Sequence, residues 1–209
     1  MYTPAAFVEE HPKAIAAFLV EHPMAQLVTM TEAGLVATPM PTLYEPSADG
    51  LGSLVGHVAR ANRQWAETVS TVEALAIFTG ANAYVSPNWY PAKAEHGKVV
   101  PTWNYETVHV RGVFVAHDDR EWKRALVTRL TQRHESQFDT PWAVEDAPAD
   151  YIESMLQAIV GVELQITSIQ AKRKLSQNRS AEDIAGTISG LTAVGGPSAK
   201  VAEAMRFDT

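Results

Sequence analysis

Residues 98–112 read KVVPTWNYETVHVRG, a run of β-forming residues crowded with Trp103, Asn104, Tyr105, Thr107, His109 and Arg111. Side chains alternate across a strand, so Trp103, Tyr105, Thr107, His109 and Arg111 share one face while Val108, Val110 and Phe114 share the other. One face is apolar and the other is polar and aromatic. On spacing alone, the decorated face meets solvent or a subunit partner, or it lines a pocket for a planar polar ligand. In a pocket, rings would pack and Asn, Thr and His would exchange hydrogen bonds.

A second candidate is GHVARANRQW, residues 56–65. A strand end, a glycine and a helical turn with Arg60, Asn62 and Arg63 would aim backbone N–H groups and a guanidinium at an anion, because a helix N-terminus carries partial positive charge. The alternative is that both arginines are solvated and His57 is a satisfied strand histidine. A third, KRKLSQNR at residues 172–179, places Lys172, Arg173, Lys174 and Arg179 around Leu175. It reads either as a solvated loop or as an anchored, hydrogen-bonding segment that serves an anion. SPNWYPAKAEHGK, residues 86–98, is a stiff aromatic loop that packs as a lid or touches a ligand directly.

The seven histidines show no metal-binding spacing, and the His134-Glu135 pair points to different helix faces, so no metal site is expected. No GxSxG, GxxxxGK[ST] or GxGxxG motif supports a hydrolase, a P-loop or a Rossmann domain. His57 and His109 titrate in the range useful for acid–base work, but no catalytic residue can be assigned. A formal charge of −7 argues against a broad phosphate-binding surface. The absence of cysteine excludes disulfides, thiolate metal sites and thiol nucleophiles. Neither a secretory leader nor a membrane span is expected, and the chain reads as cytoplasmic.

The elements that must position these residues follow from pattern. With 209 residues, 46% of them hydrophobic, the chain predicts one domain with appended helices. A first helix runs from Thr3 or Pro12 to Glu21. Two β-rich runs flank Glu32-Ala33-Gly34, a three-residue hairpin signal. Pro39 and Pro41 lack N–H groups on the same side, so their strand is an edge or opens toward a ligand. Further strands are expected at residues 51–58, 72–79 and 83–86, with Gly80-Ala81-Asn82 as a turn. Asp119 caps a helix with Trp122, Leu126 and Leu130 on one face, and residues 146–148 start another carrying Tyr151, Met155 and Leu156. GVELQITSIQA is a last strand, and two short helices around Gly195-Gly196-Pro197 reach Phe207. About six strands without a βαβ rhythm predict an α+β, antiparallel, barrel-like domain. The tail pair invites a helix-turn-helix reading, but only Lys200 and Arg206 are basic there, which disfavours direct DNA binding.

GHVARAN, SPNWYP, KVVPTWNYETVHVRG, the pair at His134 and KLSQNR, in this order, resemble the PaiB family, described as FMN-binding negative transcriptional regulators. The resemblance implies an FMN-binding split barrel, the antiparallel fold shared with pyridoxamine phosphate oxidases and flavin reductases. It further implies FMN as cofactor and a homodimer with the flavin at the subunit interface. That would turn the polar-aromatic face toward the interface. The division it suggests is a split-barrel domain over residues 1–179 and a C-terminal helical extension over 180–209. By the same resemblance His57, Arg60 and Asn62 grip the flavin phosphate. Thr38 and Met40 lie along the ring, Asn104, Thr107 and His109 stand close by, and Lys174 and Arg179 reach the flavin of the other subunit. The family often carries His where this chain has Thr38, and that departure would alter flavin binding.

Three functions follow as alternatives: a flavin-binding repressor of gene expression, an FMN-dependent oxidoreductase acting on a small molecule, and a split barrel turned to another cofactor such as haem, with His57 or His109 as ligand.

Overall fold

Alternating apolar and polar residues give seven strands among the described residues, 1–48 and 50–206, of the computed structural model. They are β1 (Val8–Glu9), β2 (Met24–Thr31), β3 (Gly34–Ser47), β4 (Gly50–Ala59), β5 (Ala74–Val85), β6 (Thr102–His117) and β7 (Ile159–Lys174). The helices are α1 (Pro12–Glu21), α2 (Gln64–Glu67), α3 (Ala92–His96), α4 (Arg120–Glu135), α5 (Ala149–Gln157), α6 (Ala181–Val194) and α7 (Pro197–Arg206). The strand order is β1-β7-β4-β3-β2-β5-β6, and β7 pairs with β6 as well, so the sheet returns on itself. The predicted α+β antiparallel barrel is therefore the fold. The expected tail helices are present as α6 and α7; Phe207 lies outside the described residues.

Several expected elements take a different form. The β2–β3 connection is two residues, Glu32 and Ala33, because Gly34 at φ +115° already belongs to β3 and pairs with Thr31. Positive φ at the start of a strand is the reason a glycine stands there. β5 is one strand where two and a turn were expected. Gly80 lies within it, and a Cβ there would come 2.7 Å from the Phe18 ring, so the glycine serves close packing and not a turn. α5 buries Ile152 and Leu156, whereas Tyr151 and Met155 are exposed. Asp119 caps α4 as expected, its carboxylate accepting from the Trp122 N–H at 2.8 Å.

The chain forms two compact units. One comprises Leu19–Phe78 and His109–Ile169, the other Met1–Phe18, Thr79–Val108 and Gln170–Thr209. The first holds the β2–β3–β4 meander, whose inner face carries Leu27, Met40, Leu54 and Val58, all buried. Within it Gly161 of β7 lies under the indole of Trp122 from α4; a Cβ on Gly161 would fall 2.0 Å from the ring. The second unit has its own core. Ala83, Leu175, Leu191, Val201, Ala202 and Met205 are buried together, with Trp89 packed against them. Each such large side chain contributes roughly 1.5–3 kcal/mol on leaving water.

Gly161→Ala is expected to lower the Tm by about 2–10 °C, the range for one overpacked contact in a chain of this length. A thermal melt followed by circular dichroism checks it, and an unchanged Tm would mean that the indole has room to move.

Candidate functional site

β3 exchanges one ladder partner for another half-way along its length. It pairs with β2 from Gly34 to Pro41, but its ladder with β4 begins at Thr42, opposite Gly56. Proline offers no N–H to a ladder, so Pro39 and Pro41 fit a stretch with a partner on one side. The edge expected from those prolines is present. The face of this hairpin that carries Leu27, Thr29, Val36, Thr38 and Met40 is covered by the segment after β4. Asn62 Nδ2 donates to Thr38 Oγ1 at 2.9 Å. Gln64 Nε2 donates to Thr29 Oγ1 at 3.0 Å and to the Val36 carbonyl at 3.3 Å. The result is a polar layer over a strand edge, and Gln64 Oε1 is buried in it without a partner.

Arg60 is not a loose cation. Its Nε donates to the Gln157 carbonyl at 2.6 Å, Nη1 to Asp118 Oδ2 at 2.9 Å, and Nη2 to Asp118 Oδ1 and to the Ile159 carbonyl at 3.2 Å. Four bonds leave one of the five guanidinium donors over. The Trp65 indole donates back to the Arg60 carbonyl at 3.0 Å. Lys123 Nζ adds a second cation to Asp118 at 2.9 Å. Hydrogen bonds from Arg60 and then Lys123 hold the Asp118 carboxyl far below the usual carboxylate range. The expected helix over this segment is a single turn, α2, too short to present a helix N-terminus to an anion.

The other residues singled out from sequence divide between the two units. In the first, Met40 is fully buried beside Gly56, where a Cβ would lie 3.1 Å from its sulfur. His57 sits opposite Gly161 in the β4–β7 ladder and so projects to the face that Trp122 covers. Its Nδ1 is buried without a partner, and burial pushes its pKa down. Burial likewise lowers the pKa of half-buried His109. On that outer face the sequence reading missed a pair: His117 Nε2 lies 2.8 Å from Glu163 Oε2, and its ring stacks on Trp122 at 4.1 Å. Only the β6–β7 pairing brings these residues together, so no local motif announces them.

In the second unit β6 alternates as predicted, with Trp103 exposed and Tyr105 and Thr107 half-buried. Its inner face is less apolar than expected. Asn104 is 0% exposed and spends its amide on Ser176 Oγ at 2.9 Å, with the Met205 sulfur at 3.6 Å. Glu106 is buried and takes Arg173 Nε at 2.9 Å. Lys174 Nζ donates to Thr102 Oγ1 and the Trp103 carbonyl at 2.7 and 2.6 Å. The Arg179 guanidinium lies 4.8 Å from the centre of the Tyr90 ring.

Residues 1–168 match the family described as "Putative FMN-binding domain". The chain belongs to this family. The protease synthase and sporulation protein PAI 2 of Bacillus subtilis is 32% identical over 200 residues, covering 96% of this chain and 93% of that protein. Among solved structures, the flavocytochrome Anf3 from Azotobacter vinelandii aligns with a TM-score of 0.56 at 15% identity, over 85% of this chain and 74% of that one. A FAD and haem binding protein from Mycobacterium smegmatis aligns with a TM-score of 0.55 at 15% identity, over 90% and 80%. At such identities the two structures speak for the fold. The chain is an FMN-binding split-barrel protein, and FMN is its cofactor. The donor set fits that group: the Thr38 hydroxyl and the Asn62 amide suit the polar rim of an isoalloxazine, and the side chain of Arg63 is exposed beside them.

The folded protein depresses the Asp118 pKa, so its contribution to stability is complete above the ordinary carboxylate range and is lost as pH falls below about 4. Asp118→Asn is therefore expected to lower the Tm by about 1–4 °C at pH 7, a small effect because the pair is half exposed. The deficit should shrink as the pH falls below about 4. Melts at both pH values check it, and a deficit that grows in acid would contradict the clamp.

Proposed function

We propose that the chain works as an FMN-binding homodimer that acts as a negative regulator of gene expression. In this reading FMN occupies the open edge of β3, with Thr38 and Asn62 against the ring and Arg60 holding the β4 turn in place. The observation that carries it is the half-paired β3 edge next to the Thr38–Asn62 bond. His57 and His109 complete the first unit's share of the site. Thr107, Lys174 and Arg179 supply polar and positive groups to the flavin of a second copy, and Asn104 holds the turn at Ser176 that carries Arg179. FMN, when bound, supplies one- and two-electron redox chemistry. The residues supply orientation, hydrogen bonds and charge.

A second copy is the partner that the outer face of β5 and β6 suits. Tyr84 is 49% and Trp103 50% exposed, and their rings meet edge to face at 6.2 Å. Paired, exposed aromatics of this kind are characteristic of interfaces. Direct reading of DNA by α6 and α7 is disfavoured, since α7 buries Val201, Ala202 and Met205 against its own unit. Repression would then run through a partner protein or a small contact surface. The fold's flavin also supports a second reading, an FMN-dependent oxidoreductase acting on a small molecule.

Asn62→Ala is expected to weaken FMN binding about tenfold, the worth of one good hydrogen bond to a bound group, with little change in fold. A flavin titration followed by absorbance tests this; equal affinity removes Asn62 from the site. In the same cuvette, bleaching of the flavin by NADH or NADPH and reoxidation by an acceptor would favour the oxidoreductase. Salt-dependent binding to DNA would favour direct repression.

A further inference from the structure

Lys172 and Lys174 project from the same face of β7, roughly 7 Å apart by strand geometry. Tyr105 shares that surface, its ring centre 5.1 Å from Lys172 Nζ, and the Tyr2 ring lies 6.0 Å from the same nitrogen. Lys172 is 8% exposed, and its one hydrogen bond goes to the Tyr2 carbonyl at 3.3 Å. Lys174 is bound to a hydroxyl and a carbonyl, both neutral. Arg179 follows in a tight turn that Ser176 makes at φ +70°, a strained conformation for a side-chain-bearing residue. The guanidinium covers the face of Tyr90, which is 2% exposed.

The charges around these three cations do not balance. Arg173 is the neighbour that takes the local carboxylates, Glu106 at 2.9 Å and Glu9 at 3.7 Å. Asp183 lies near Tyr90 but accepts from the Ala92 N–H at 3.2 Å. No ion pair involves Lys172, Lys174 or Arg179 among the described residues. Burial, together with Lys172 and Arg179, pushes the Lys174 pKa down. In a chain of net charge −7, three partly buried cations without an anionic partner are costly unless an anion joins them.

We propose that Lys172, Lys174 and Arg179 form a binding site for the phosphate monoester group of a small molecule that also carries an aromatic ring, the phosphate meeting the cations and the ring packing against Tyr105. Two sources carry that group: FMN, whose phosphate ends the ribityl chain, and a second phosphorylated small molecule. The identity of the ligand rests on the flavin reading; the site does not.

The test is a calorimetric titration of the full-length protein, free of flavin, with inorganic phosphate at low salt. Saturable binding is expected, weakened about tenfold by Lys174→Gln and by Arg179→Gln, with Lys200→Gln on α7 as the unaffected control. Circular dichroism of each variant keeps a folding defect from passing as lost binding. Repeating the titration on FMN-saturated protein separates the sources: exclusion of phosphate assigns the site to the flavin phosphate, and continued binding assigns it to a second molecule. No saturable binding, or equal binding by both variants, would overturn the site. Failure of FMN to bind would remove the flavin reading and leave the phosphate result intact.

Discussion

Two prolines set the terms for the first unit. A strand with Pro39 and Pro41 lacks two N–H groups on one side, so β4 cannot extend its ladder beyond Thr42. The chain must then do two things at once. It has to carry β4 away from β3 while β4 stays paired with β7, and it has to cover the polar part of the hairpin's inner face without a strand. The segment from Arg60 to Glu67 does both, through the Arg60 clamp at one end and Asn62 and Gln64 at the other. A single helical turn suffices because side-chain amides make the bonds a strand's backbone would have made.

The clamp explains why such a short segment can be held in one place. Arg60 ties the end of β4 to the start of β7 and to Asp118, and Lys123 backs the same carboxylate from α4. A bidentate guanidinium–carboxylate pair has a preferred plane, so it fixes orientation as well as distance. Substituting lysine would keep the charge and lose that geometry. In the second unit the fixing is done by packing. Trp89 presses into the notch left by Gly186 and Gly190 of α6, and Met205 closes over Asn104. The tail helices are thus part of that unit's core.

The period-two pattern of residues 102–111 was readable from sequence because alternation is a local property, and the exposure of the strand follows it residue by residue. The prolines likewise announced an edge. What stayed hidden was long-range. Arg60 looks like a free cation until Asp118, 58 residues on, comes to meet it. Asn104 looks like a ligand group until Ser176 and Met205 take its amide. Gly80 looks like a turn until the Phe18 ring fills its place. His117 and Glu163 form a pair through strand pairing alone. In each case a tertiary partner overrode a sound local expectation.

The central claim is that the flavin lies along the open edge of β3. Amide chemical shifts of the 15N-labelled protein, recorded as FMN is added, test it most directly. The account predicts saturable shifts concentrated at residues 35–40 and 62–64, omitting the prolines, with the far ends of β3 and β4 unchanged. Flavin binding that leaves those amides unmoved and shifts others would contradict it.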